Sequence, residues 1–350
     1  MNLDQESTAV PMSAPKGRWS EYAQLSRQIK QAGLLDRRRR YYAARISLNL
    51  VLLAAGGAAF VLLGDSWWQL LTAAYLAVVF TQIAFVGHDA GHRQILRTRS
   101  ANDLVGLLHA TLLVGVSFEW WVGKHNRHHS NPNHEDLDPD IEIAALAFTA
   151  GQAGDKRGPF RVIARYQAWL FFPLLLLEAA HLHVASAKAI LRDTGQRNAV
   201  EASLLLVHVA GYLTALLLVL SPWQAAAFVL VQQGLFGLYL GCSFAPNHKG
   251  MPTLTEAEEL DFLRRQVLTS RNVAGSRVVD FLLGGLNYQI EHHLFPNMPR
   301  PNLRHAQPLV RAFCTQHNIP YVEATMFGSY AEALRHLHTV GATLRPAVAE

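Results

Sequence analysis

The chain has 350 residues, 50% hydrophobic and only 16% charged, with a net charge of +5 and a mean hydropathy of +0.11. The apolar residues fall in long blocks, which excludes an ordinary soluble domain and indicates a membrane protein with a sizeable polar part. Two cysteines, Cys242 and Cys314, without a C-x-x-C exclude a disulfide framework. There is no basic stripe interleaved with aromatics, so no nucleic-acid partner is expected.

Residues 1–44 read as a polar N-terminal tail and pre-membrane helix, disordered over about the first twenty residues, and ending in Arg37, Arg38, Arg39 and Arg40. No apolar core precedes these arginines, so no cleavable leader is expected. Residues 45–344 read as one membrane domain. Four blocks reach the roughly 20 residues needed to span: residues 46–64, 67–87, 199–220 and 223–245. Asp65-Ser66 and Ser221-Pro222 make each successive pair a tight hairpin, with Trp67, Trp68 and Trp223 at the tips. Arg45, Arg93, Arg97, Arg99, Arg192, Arg197 and Lys249 all flank the other ends, which places both termini in the cytoplasm.

Residues 104–118 are too short to span comfortably. Residues 169–185 are borderline and contain Pro173, Glu178, His181 and His183. Both read as interfacial helices, because a span at either one alone would put the histidine clusters on opposite sides. From about residue 251 the chain turns charged (Glu256, Glu258, Glu259, Asp261, Arg264, Arg265) and reads as a helical cap, followed by a tail at 345–350. The expected fold is therefore all-α and integral to the membrane: four transmembrane helices in two hairpins under a cytoplasmic helical cap that carries a metal site.

That site is read from three clusters: His88-Asp-Ala-Gly-His92, His125-Asn-Arg-His128-His129 and Gln289-Ile-Glu-His292-His293. Spacings of three and four residues put each cluster on one helix face. Seven imidazoles and one amide are more donors than one tetrahedral site uses. They suit two six-coordinate metals, and neutral imidazole binds Fe, Cu, Ni and Zn. His248, where the fourth span leaves the membrane, is an eighth imidazole in the same layer. Gln289 is a candidate weak ligand. Asn247 is a candidate for holding a ligand or water. Asp89 and Glu291 are candidates for accepting imidazole N–H bonds.

The remaining histidines lack ligand spacing. His109, His181, His183 and His208 read as packed or interfacial; His305, His317, His336 and His338 follow no pattern. His134 and the acidic loop Glu135, Asp136, Asp138 and Asp140 read as a solvated face. Arg300, Arg304 and Arg311 could meet a phosphate-bearing headgroup, but each alone reads more simply as paired with an acid. Phe85, Phe118, Trp120 and Trp121 could line a channel for an acyl chain, or simply pack. A donor set of nitrogen alone suits redox-active iron, which with O2 can take hydrogen from an unactivated carbon.

These boxes resemble those of the membrane fatty acid desaturase family. His88 and His92 match its H-x3-4-H box, and His125, His128 and His129 match H-x2-3-H-H. The third box looks like the glutamine form found in the front-end and linoleoyl-CoA-desaturase-like branch, which includes bacterial acyl desaturases. The surroundings Ser243-Phe-Ala-Pro-Asn-His-Lys-Gly-Met251 and Gly285-Leu-Asn-Tyr-Gln-Ile-Glu-His-His-Leu-Phe-Pro296 resemble the same branch, and the likeness covers roughly residues 40 to 325.

The resemblance implies two irons held by the eight histidines, O2 as co-substrate, two external electrons, and a cis double bond left in a long acyl chain on CoA or a membrane lipid. It also implies a bacterial plasma-membrane location. Many glutamine-form relatives carry a fused cytochrome b5 domain with an H-P-G-G motif. That motif is absent from this sequence, so a separate donor of the ferredoxin or reductase type is expected. Two other functions compete. Hydroxylation of an alkane, sterol or carotenoid would add oxygen rather than remove two hydrogens. A metal transporter or receptor would place ligands near the bilayer midplane.

Overall fold

The computed structural model describes residues 19–192, 196–258 and 260–345. Residues 1–18 of the expected disordered tail, Glu259 of the charged opening of the cap, the Arg197 side chain and residues 346–350 lie outside the described residues.

The architecture is helical, with one two-stranded sheet among the described residues. Helix α1 (Trp19–Gln31) precedes the first hairpin, α2 (Arg39–Leu63) and α3 (Gln69–Gly91). Helix α4 (Arg99–Gly106) runs into a π-helical stretch, Leu107–Val114. Gly115, at φ 84°, then turns the chain into α5 (Phe118–Ser130), bent by 110° from the preceding helix. Short helices α6 (Ala150–Asp155) and α7 (Gly158–Arg165) lead to α8 (Gln167–Leu175) and α9 (Glu178–Arg192), which meet at 68°. The second hairpin is α10 (Gln196–Val219) and α11 (Pro222–His248). The rest is α12 (Phe262–Leu268), β1 (Asn272–Ala274), α13 (Arg277–Leu282), α14 (Gln289–Leu294), α15 (Arg300–Gln316), β2 (Glu323–Thr325) and α16 (Met326–Ala342), with β1 parallel to β2.

Among the described residues, four helices, α2, α3, α10 and α11, are each long and apolar enough to cross a membrane. At about 1.5 Å per residue, even the 23-residue α3 reaches about 34 Å. Their apolar side chains point outward: Leu62, Leu218 and Trp223 are each more than 80% exposed. Water would not tolerate so much contiguous apolar surface, whereas lipid solvates it. Inside, Ala77, Phe80 and Ile83 of α3 pack against Phe236 and Leu240 of α11. Gly237 lets α11 approach the α8–α9 bend so closely that a Cβ there would lie 2.7 Å from Ala179 N and 2.8 Å from Leu175 O. The hairpin tips touch, with Ser221 N donating to Asp65 Oδ1 at 2.9 Å. Both hairpins therefore point the same way, and their opposite ends are free to meet the cap.

Two helices run further than the apolar pattern suggested. Helix α3 continues a turn to Gly91, and α11 continues through Pro246 to His248. Each span thus carries a histidine, His88 or His248, on a continuous helix, and His92 follows directly as the cap of α3. The cap has its own core, in which Leu25 and Ile29 of α1 pack with Val267, Leu294, Phe295, Val310 and Phe313. The pre-membrane helix is in this way a structural part of the cap.

Candidate metal centre

The clusters converge. The side-chain nitrogens of His88, His92, His125 and His292 lie within 4.8 Å of one another, and those of His128, His248 and His293 form a second such group. His129 joins the two: its Nε2 is 3.1 Å from His125 Nε2, and its ring stacks on His293 at 4.2 Å. All eight rings are buried. They arrive on α3 and its capping residue His92, on α5, on α11 and on α14, so four separate elements build one centre.

Outer partners fix which ring nitrogen faces inward. The Thr269 carbonyl only accepts, so His248 must donate to it from Nδ1 (3.0 Å), leaving a lone pair on Nε2. Gln266 Nε2 donates to His129 O, which leaves Oε1 to accept from His293 Nδ1 at 2.9 Å. Asp138 accepts from His128 Nδ1 at 3.0 Å, and Asp89 from His88 Nδ1 at 3.2 Å. The bare Nε2 atoms of His248 and His293 are nevertheless 3.1 Å apart, and the Nε2 atoms of His92 and His125 approach to 2.9 Å. The two lone pairs of His248 and His293, facing each other at that distance, repel unless a cation lies between them. His88 Nε2, His292 Nε2 and Asn247 Oδ1 are buried without a hydrogen-bond partner. These residues fit metal binding.

Electrostatics agree. Burial, then the neighbouring imidazoles, push His92, His125, His129, His292 and His293 well below the usual histidine range. They are neutral near pH 7, the form that ligates. Burial also acts to lower His128, but Asp138 and Asp140 outweigh it and hold that imidazole above its ordinary value.

Part of the acidic loop departs from the solvated face that its composition suggested. Asp138 is 1% exposed and accepts from Asn133 N (2.7 Å) and Asp140 N (2.8 Å) as well as from His128. Asp140 pairs with Lys124, and its carbonyl accepts from Lys249 Nζ at 2.9 Å. Asp138 and Asp140 turn inward here because each meets a cation or an N–H, whereas Asp136 stays exposed. Glu291 likewise departs from expectation: it accepts from Asn272 Nδ2 and Tyr321 OH, both at 2.7 Å, and touches no imidazole. Asn272 in turn accepts from Ile290 N, so this network seats α14. Gln289 turns its amide nitrogen to His248 Nε2 at 2.9 Å, and Asn247 donates to Leu286 O at 2.9 Å.

Arg300 is ion-paired to Asp89 at 2.6 Å, Arg304 approaches Asp280 and Arg311 pairs with Glu323. Trp121 stacks on His125 at 4.4 Å, whereas Phe118 and Phe85 are packed against Gly106 and Gly284. His183 and His208 bond the Gly115 and Leu112 carbonyls at the end of the π-helical stretch.

Three residues escaped the sequence pattern. Gln266 orients His293. Arg271, fully buried, donates to Pro246 O at 2.6 Å and to Lys249 O, gripping the end of α11 around His248. Glu201 accepts from Thr111 Oγ1 (2.9 Å), Ser117 Oγ (2.7 Å) and Glu119 N (3.1 Å), which pins the start of α5. A lone acid in an apolar span was the available signal for Glu201; Gln266 and Arg271 carried none.

A spanning helical bundle capped over a buried polyhistidine centre is the class that fold and site define. Comparison with known proteins gives the family: residues 65–325 match fatty acid desaturases, and the chain belongs to that family. It is similar to the Delta(6)-fatty-acid desaturase fat-3 of Caenorhabditis elegans, at 30% identity over 96% of this chain and 78% of the relative. It is also similar to the Delta(8)-fatty-acid desaturase of Helianthus annuus, at 28% over 93% and 74%. The acyl-lipid (9-3)-desaturase of Physcomitrium patens is 29% identical over 86% of this chain and 58% of the relative.

Proposed function

We propose that the chain is an O2-dependent, di-iron acyl desaturase that places a cis double bond in a long-chain acyl group carried on CoA or a lipid. The observation that carries this reading is the convergence of eight buried imidazoles, with bare Nε2 atoms facing each other, in a chain of the desaturase family. His88, His92, His125 and His292 would hold one iron, and His128, His248 and His293 the other, with His129 between them. Gln289 and Asn247 stand beside the second group, and a half-turn of the Gln289 amide would offer its oxygen. Bound iron, with O2 and two electrons, supplies the power to remove two hydrogens from adjacent methylenes.

The protein's own part is positional. Asp89, Asp138, Gln266 and the Thr269 carbonyl hold the rings in one tautomer and orientation. Trp121 covers His125 and helps exclude water. The electrons come from a separate ferredoxin or reductase-type protein. The named positions of the relatives, Delta(6) and Delta(8), make double bonds near the carboxyl end the first products to seek.

Expression in a host lacking desaturases, with mass spectrometry of its fatty acids, tests the reaction. Loss of two mass units of hydrogen is expected; gain of one oxygen would instead make it a hydroxylase. His128→Ala should abolish the product while the protein stays in the membrane, and persisting product would overturn the ligand assignment. The basic flanks and the metal centre face the cytoplasm, and the bent pairs α4–α5 and α8–α9 lie at that boundary without crossing. On a cysteine-free background, Arg97→Cys should resist an impermeant thiol reagent in intact cells and Trp223→Cys should react. The reverse pattern would refute this orientation.

A further inference from the structure

A cavity lies away from the histidine centre. It holds about 890 Å³ where the chain enters α2, and five arginines, Arg37, Arg38, Arg39, Arg40 and Arg97, line it against one carboxylate, Asp36. Arg37 and Arg38 are committed to the cap: Arg37 donates to Asn297 O at 3.0 Å and Arg38 to Asn302 Oδ1 at 2.8 Å. Arg39, Arg40 and Arg97 are exposed, and among the described residues none of the three meets a carboxylate. Guanidiniums crowded in this way repel one another, and an anion with several oxygens relieves the repulsion.

We infer that this cavity is a binding site for the phosphate of an anionic glycerophospholipid of the surrounding bilayer. Two observations favour a lipid over a soluble anion. The cavity also has apolar walls, at Leu35, Tyr41 and Pro301. It continues directly onto an exposed strip of the first span, where Ala43, Ala44 and Ser47 leave room and Leu48 and Val51 are 40% and 64% exposed. Phosphate in the cavity and acyl chains along that strip match an amphiphile end to end. A concave pocket of this size suits a headgroup better than the flat patch of about 800 Å² that a protein partner uses. Arg97 lies in the segment that follows His92, and Pro301 follows Arg300, the partner of Asp89, so an occupied site would brace the loop behind the first histidine box. The inference concerns a lipid bound beside the catalytic domain and does not depend on the acyl chemistry.

The test uses the full chain in nanodiscs. Native mass spectrometry should find phosphatidylglycerol retained over phosphatidylcholine. R39Q/R40Q/R97Q should weaken that retention about tenfold or more. R157Q/R161Q/R335Q, the same charge change on exposed arginines elsewhere, should leave it intact. Equal losses in both variants would overturn the inference in favour of diffuse charge. Displacement of phosphatidylglycerol by free coenzyme A, or by an acidic redox protein, would overturn it in favour of a soluble ligand. If the triple variant fails to fold, photoactivatable phosphatidylglycerol applied to the unaltered protein decides. Labelling within residues 39–51 or at Arg97 supports the site, and labelling only elsewhere refutes it.

Discussion

Asp138→Asn probes the centre through the carboxylate that accepts from His128 Nδ1. The carboxylate serves three donors: His128 Nδ1, Asn133 N and Asp140 N. An amide keeps one accepting oxygen and turns an NH2 toward a former donor, so at least one buried N–H loses its acceptor, at about 1–3 kcal/mol. The charge that fixes the His128 tautomer is lost as well. Removing such an outer partner weakens metal affinity by about 10–100-fold, equivalent to about 1.4–2.7 kcal/mol. Iron per chain, measured after graded chelator challenge of the purified protein, reads this directly. The half-loss point should fall by about one to two decades of chelator concentration, and product in cells should fall with it. Asp136→Asn, exposed in the same loop, should behave as wild type. If Asp138→Asn held iron within twofold of wild type, the argument that the loop tunes His128 would be wrong.

Two further substitutions test how the scaffold seats the histidines. Glu201→Ala strands the Glu119 N–H and two hydroxyls, so melting should fall by the equivalent of about 1–3 kcal/mol or more; iron should fall too, because α5 carries three of the rings, and unchanged iron would separate this network from the site. Gly237→Ala pushes a methyl into the backbone of the α8–α9 bend and should cost about 1–3 kcal/mol of stability, read as a lower melting temperature in detergent; an unchanged melting point would show that the contact is slack.

Much of the chain was legible before any fold was seen, and for local reasons. Apolar blocks of spanning length and short polar turns are properties of contiguous sequence, so the four crossing helices and their hairpins could be read directly. The spacings of His88 and His92, of His125, His128 and His129, and of His292 and His293 each define a helix face without reference to the rest of the protein. The place of His248 at the end of a span is likewise a property of contiguous sequence.

What only the tertiary structure decided is everything set by contacts between distant segments. It divided the histidines into two groups with His129 between them. It converted Asp138 from one acid among several in a polar loop into the partner of His128, and it moved Glu291 away from the rings to Asn272 and Tyr321. It also recruited Glu201, a lone acid in an apolar span, and Gln266 and Arg271, which bear no mark in sequence that relates them to a metal centre. Helical period repeats every few residues and is written locally. Which buried donor meets which acceptor across a hundred residues depends on how the helices pack, and that information exists only once the chain has folded.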